Sequence, residues 1–354
     1  MKTNKKIVSL LLIFVMIVAL VGCKKVDETP AVSSQIEESQ VSSMTSDYES
    51  SYESSQSKQS QVSSVTSSSH ISDKDKKIIL CFGDSITEGY GMKSKNEPYP
   101  AVLQSRLGDG YKVYNAGVGG EKAAAIMSRA NAIEFCLGED LLFEANDLTA
   151  KLSLVGGLVV AKTGEPIEYK GTGNQLPTNT IEIGGKKYEL REVAGAYNVT
   201  RNDSGKRLLI PKGTLVKYDY SKYFDECYCA VVLMGANDND SGSDALIEKF
   251  RTFGAKFERC IFITPFYYDD YSQKFDAAFG RNTINIKAYF RGAVFEDYGI
   301  EKTRVSQHYI DKTTNIPVIF NLNEKLANPH LSALGYKVMG GEVYKRGVEL
   351  GYWK

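Results

Sequence analysis

Four short stretches of the chain carry groups that could activate and hold a reacting centre. Ser85, in Gly83-Asp84-Ser85-Ile86-Thr87, offers a hydroxyl, which is weakly nucleophilic until a base removes its proton. His330 offers such a base. Asn115-Ala116-Gly117-Val118-Gly119-Gly120 offers backbone N–H donors, and Asn237, in Gly235-Ala236-Asn237-Asp238, adds a side-chain amide. A hydroxyl, a base and several donors are the parts of nucleophilic catalysis. Each has an ordinary alternative. A Ser after a strand commonly caps a helix, the glycines can simply make turns, and Asn237 can cap a loop. Of three histidines, His70 falls in a Ser-rich stretch and His308 in a segment without a motif. Asp84 and Asp238 read as structural.

The elements that must position these residues follow an α/β rhythm. Ile78 to Phe82 is a continuous apolar run, as a buried parallel strand requires, and it delivers Ser85. Pro100 to Leu107 reads as a helix, Tyr111 to Tyr114 as a second strand ending at Asn115, and Glu121 to Leu137 as a second helix closed by Cys136. The rhythm resumes with a strand at Tyr228 to Met234, a helix at Asp244 to Phe253 and a strand at Arg259 to Thr264. Ile284-Asn285-Ile286 reads as a further short strand, and His330 opens a last helix. In open parallel sheets ligands gather beyond the carboxyl ends of the strands, where Ser85, Asn115–Gly120 and Asn237 all fall.

Between about 139 and 226 the rhythm breaks into short alternating stretches such as Thr180-Ile181-Glu182-Ile183. They are punctuated by Gly156-Gly157, Gly184-Gly185 and Lys212-Gly213. Strand-sized pieces at this spacing predict a small antiparallel β unit inserted into the α/β domain.

The four blocks, in this order and at these strand ends, resemble the conserved blocks of SGNH hydrolases, also called GDSL esterases/lipases. The resemblance covers about 76–140 and 228–354. It implies a three-layer α/β/α sandwich with a parallel, flavodoxin-like sheet, in a domain spanning 75–354. It also implies a carboxylic ester hydrolase without metal or organic cofactor. By the same resemblance Ser85 is the nucleophile and His330 its base, with the oxyanion held by Ser85 N–H, Gly120 N–H and the Asn237 amide. A helix starting just after Ser85 favours negative charge there. A side chain at Gly120 would crowd the reacting carbonyl. One position departs: where the family places an Asp three residues before the His, this chain has Ala327. Asn328, a backbone carbonyl, Glu324 or Asp311 could orient His330 instead. Failing those, the site is weakened and the chain is a glycan-binding relative with the same fold. Acyl transfer is a third reading.

The N-terminal part is set apart by composition. Lys2, Lys5 and Lys6 precede an apolar run, Ile7 to Val21, too short for an ordinary spanning helix of about 20 residues. Residues 1–22 read as an export signal, and Leu20-Val21-Gly22-Cys23 resembles the lipobox of bacterial lipoproteins. The resemblance makes Cys23 a lipidated, membrane-anchoring residue; an uncleaved anchor is the alternative. Residues 24–74 are Ser-rich without apolar periodicity and read as a flexible tether. At about 50 residues its mean span is roughly 40 Å. The chain is thereby expected outside the cytoplasm, facing wall polymers and polysaccharides.

With 43 Lys+Arg against 43 Asp+Glu, binding to nucleic acid through gross positive charge is excluded. The expected partner is a small ester or acylated carbohydrate. Tyr267, Tyr268 and Tyr271 could stack on sugar rings, or be ordinary surface tyrosines. Cys81 and Cys260 lie inside apolar runs, and Cys227 and Cys229 would share one face of a strand; the spacing demands no disulfide and offers no metal-ligand grouping.

Overall fold

The first strand, β1 (Lys77–Gly83), is buried at every position from Ile78 onward, so it needs cover on both faces and a neighbour on each edge. The computed structural model supplies both. It describes residues 72–170, 179–219, 221–238, 243–264, 269–284, 300–302, 309–311 and 330–354. The segment read as an export signal, Cys23, His70 and nearly all of the stretch read as a tether lie outside these residues. So do Tyr267, Tyr268, Asn285, Ile286, His308, Glu324, Ala327 and Asn328.

After β1 come the one-turn helix α1 (Ser85–Glu88), α2 (Tyr99–Leu107), β2 (Tyr111–Gly117) and α3 (Ala123–Arg129). Nine short strands follow: β3 (Phe135–Leu137), β4 (Leu141–Phe143), β5 (Thr149–Ser153), β6 (Leu158–Val160), β7 (Thr180–Ile183), β8 (Lys186–Val193), β9 (Ala196–Arg201), β10 (Leu208–Ile210) and β11 (Leu215–Tyr218). The chain continues through α4 (Ser221–Phe224), β12 (Cys227–Leu233), α5 (Asp244–Gly254), β13 (Cys260–Ile263), α6 (Asp269–Phe279) and β14 (Thr283–Ile284). A hairpin, β15 (Ile300–Lys302) with β16 (Tyr309–Asp311), and the long α7 (Ala333–Glu349) complete the described elements.

Five strands form a parallel sheet in the order β14-β13-β12-β1-β2. Counted along the chain, that order is 2-1-3-4-5 from the β2 edge. It reverses between β1 and β12, the switch point where such sheets bind ligands. Alternate residues of β1 feed two cores. Ile78, Leu80 and Phe82 join side chains of α3, α5 and α6. Ile79 and Cys81 join Tyr99 and Leu103 of α2 and Tyr336, Val338, Met339 and Val343 of α7.

The second sheet is antiparallel, in the order β5-β9-β8-β7-β11-β3-β6, with β4 and β10 paired separately. Its strands alternate buried with more accessible residues, half-buried in β9 and exposed in β11. The buried ones, among them Leu152, Ile181, Leu190 and Val199, are continuous with the α3 and α5 core.

Three sequence expectations are corrected. The helix expected over Glu121 to Leu137 ends at Arg129, and Cys136 lies on β3. Asn131 adopts a left-handed φ of 49° that ends the helix. Its side-chain amide accepts from Tyr218 N (3.0 Å) and donates to Tyr218 O (2.9 Å), extending the end of β11. Cys227 and Cys229 do not share a face. The register with β1 slips between Ile78↔Cys227 and Ile79↔Cys229, a β-bulge, so Cys227 packs on one core and Cys229 lies in the other. Finally, α7 starts at Ala333 rather than His330, because Ser332 is its N-cap and accepts from Gly335 N at 3.2 Å.

Candidate active site

At the carboxyl end of β1 the capping duty falls to Asp84. Its Oδ1 accepts from Ile86 N at 2.9 Å, making Ser85 the first residue of α1 and leaving the Ser85 hydroxyl uncommitted to the helix. That hydroxyl meets His330 Nε2 at 2.7 Å. The two residues are 245 positions apart, brought together by β1 and the approach to α7. As a first-turn residue Ser85 also keeps a backbone N–H with no intrahelical acceptor.

The segment after β2 is fastened to α1. Asn115 Oδ1 accepts from Gly117 N (2.9 Å), and Asn115 Nδ2 donates to Glu88 O (3.2 Å). A Cβ on Gly117 would lie 2.1 Å from Glu88 N, so only glycine allows α1 to pack this closely. Three residues on, Gly120 has φ +75° and is exposed. A Cβ there would touch no protein atom within 4 Å, so its left-handed backbone, rather than crowding by neighbouring residues, selects glycine.

The segment after β12 closes over the same loop. Asn237 Nδ2 donates to Glu121 O at 2.9 Å, and Asp238 Oδ2 accepts from Ala123 N at 2.8 Å, capping α3. A primary amide has two N–H donors. One fixes the Asn237 side chain against the residue following Gly120; the other meets no acceptor among the described residues. Asp84 and Asp238 thus act in capping, as their sequence setting suggested.

Beneath this loop, Glu121 and Arg129 form a fully buried ion pair, with Arg129 Nε at 2.9 Å and Nη2 at 2.6 Å from Glu121 Oε2. Burial pushes the Glu121 carboxyl up to about 7 against the pull of Arg129. Burial also pushes Asp84 up to about 7, opposed by its bond to Ile86 N and reinforced by Glu121 and Asp238. Burial thus works against the charge of Asp84 in particular, whereas Glu121 is held against the Arg129 guanidinium.

The structure thus brings Ser85 and His330 into direct contact, and ties Asn237 to the residue after Gly120. Cys23 lies outside the described residues, as do Ala327, Asn328 and Glu324; Asp311 falls on β16. Two features carried no sequence motif. The Glu121–Arg129 pair, eight residues apart, spans a loop and a helix with no recognisable spacing. Tyr90, just past the Gly89 that ends α1, packs its ring against His330 with centroids 4.5 Å apart and planes tilted by 38°. Among the described residues no group of three or more His, Cys, Asp or Glu could hold a metal ion, and no helix is long and apolar enough to cross a membrane.

Neither a protein-family model nor a curated protein matches the chain. Among solved structures it is similar to a carbohydrate acetylesterase family member from Sinorhizobium meliloti, at 12% identity and a TM-score of 0.34, over 78% of this chain and 99% of that one. A further structure, of a carbohydrate acetylesterase from Sinorhizobium meliloti, is similar at 12% identity and a TM-score of 0.33, over 78% of this chain and 100% of that one. An SGNH-hydrolase family esterase is similar at 15% identity and a TM-score of 0.29, over 79% of this chain and 98% of that one.

Proposed function

We propose that the chain is a serine esterase of the SGNH type, with the three-layer α/β/α arrangement of that family and the β3–β11 region as an insertion in it. The observation that carries the reading is the 2.7 Å contact between Ser85 Oγ and His330 Nε2 at the switch point of a parallel sheet. His330 takes the hydroxyl proton as Ser85 Oγ adds to the ester carbonyl. The resulting oxyanion is met by the N–H groups of Ser85 and Gly120 and by the second N–H of Asn237. On collapse the C–O bond to the alcohol breaks, and His330 returns its proton to the leaving oxygen. Water, deprotonated by His330, then releases the acid and restores Ser85.

The substrate in this proposal is a short-chain, acetyl-type ester on carbohydrate. The support is the setting that the N-terminal sequence implies: a lipid anchor at Cys23 and a tether holding the domain outside the cytoplasm among polysaccharides. The test is hydrolysis of p-nitrophenyl acetate, butyrate and octanoate by the intact chain beside Ser85→Ala. Acetate is expected to be preferred, with turnover falling at least roughly 10³-fold in the variant. Equal cleavage of acetyl and octanoyl esters, with no acetate released from acetylated glycans, would remove the substrate proposal. A folded protein without Ser85-dependent turnover would instead favour the glycan-binding reading, which Ala327 motivates.

A further inference from the structure

Tyr90 stands at the proposed site with no task yet. Its backbone N–H donates to Ser85 O at 2.9 Å, which fixes it one turn from the nucleophile. Its side chain is 50% exposed, belongs to neither apolar core, and makes no hydrogen bond through its hydroxyl among the described residues. What the ring does touch is the His330 imidazole, with centroids 4.5 Å apart and planes inclined by 38°. Neither core packing nor hydroxyl bonding accounts for an aromatic ring here.

We propose that Tyr90 is a positioning residue for His330: its ring face holds the imidazole against Ser85 Oγ and supports the imidazolium formed when the serine proton moves. The inference rests on the serine-esterase reading and deepens it. An aromatic face attracts a cation lying within about 6 Å of its centroid, and His330 is inside that range. The neutral imidazole of the resting site gains little from this, whereas the charged one gains more. The contact therefore strengthens as the transition state forms and acts on kcat rather than KM. The sequence gives a reason for such a device, since Ala327 stands where the resembled family carries a charge-supporting Asp.

Among the described residues, the ionisable groups on the elements around the site are Asp84 and Glu88 at the β1–α1 corner, Glu121, Lys122 and Arg129 after β2, and Asp238 after β12. The first turn of α7 carries no acidic residue. All are unchanged by substitution at position 90, so a shift in His330 titration there reports on the ring.

The experiment compares the intact wild-type chain with Tyr90→Leu, Tyr90→Phe and Tyr90→Trp on p-nitrophenyl acetate across pH. Leucine keeps apolar bulk and removes the aromatic face. It is expected to lower kcat about 2–30-fold at nearly constant KM. The acid limb of the profile should move down by about 0.4–1.5 pH units, because loss of cation support makes His330 easier to deprotonate. Phenylalanine should stay within about twofold of wild type, and tryptophan should match or exceed it. An NMR titration of His330, its signals assigned by their loss in His330→Gln, should show the same downward shift in Tyr90→Leu. Superimposable titrations of wild type and Tyr90→Leu would overturn the proposal, as would a loss in Tyr90→Phe equal to that in Tyr90→Leu. Wild-type protein lacking Ser85-dependent turnover would sink the esterase reading instead, and the NMR titration would still decide whether the ring supports the imidazolium.

Discussion

Ser85 keeps its hydroxyl for His330 because the residue before it does the capping. Replacing Asp84 by Asn keeps an acceptor for Ile86 N and removes a carboxyl whose charge is already suppressed. Asp84→Asn is therefore expected to retain most esterase activity, whereas Asp84→Ala should lose about 0.5–2 kcal/mol of stability in denaturant unfolding. Asn237 is held by Glu121 O through one N–H. On the proposed mechanism, kcat of Asn237→Ala on p-nitrophenyl acetate should drop about 10²–10³-fold with KM little changed, as loss of one oxyanion donor would give. At this scale the sequence was most legible where chemistry restricts residue type: Ser85 and His330, read as a pair, are placed in contact. Tyr90 was not legible, because an aromatic ring one turn past a Ser has no motif and its contact is 240 residues away in the chain. The left-handed φ of Gly120 was not read from the sequence either.

The elements meet at the site through loops that bond to one another. The loop after β12 bonds to the residues before α3, and the Glu121–Arg129 pair anchors those residues from below. Arg129→Met leaves Glu121 buried without its partner and should cost roughly 3–5 kcal/mol in urea unfolding. Glu121→Gln combined with Arg129→Met should recover a large part of that loss, because no uncompensated charge remains. The parallel strands were legible from their apolar runs, and the alternating segments of β7 and β9 from their period of two. The overrun of α3 into β3 came from a stretch rich in Ala, Ile and Met whose propensity continues past Asn131. Tertiary pairing with β11, through Asn131 and Phe135, decides the matter instead. The bulge at Tyr228 was equally hidden, since a slip in register leaves no mark on composition.

For the whole molecule, one sheet separates two apolar cores, and Asp84 and Glu121 are buried near its carboxyl end. Asp84 has a folded-state pKa of about 7, above the usual carboxylate value of about 4 in an unfolded chain, while Glu121 is committed to its ion pair with Arg129. Between pH 4 and 7 the folded state then binds more protons than the unfolded one. The stability Asp84 contributes is full below about pH 4 and is lost as pH rises through 7. Thermal unfolding should accordingly shift to higher temperature as pH is lowered from 8 toward 5, with a smaller shift in Asp84→Asn. Glu168, drawn down chiefly by its bond to Lys122, works in the opposite sense at lower pH.

The strand slip at Cys227–Cys229 has a chemical sequel. Cys81, Cys136, Cys227, Cys229 and Cys260 are all unpaired, and burial drives the Cys81, Cys229 and Cys260 thiols far from ionisation. A thiol that does not ionise neither exchanges with disulfides nor reacts readily with oxidants. While folded, these three thiols are therefore mute to the redox state of their surroundings and answer only when the parallel sheet comes apart. An alkylating reagent such as iodoacetamide becomes a clock for that event, its rate of uptake marking how often the core opens to water.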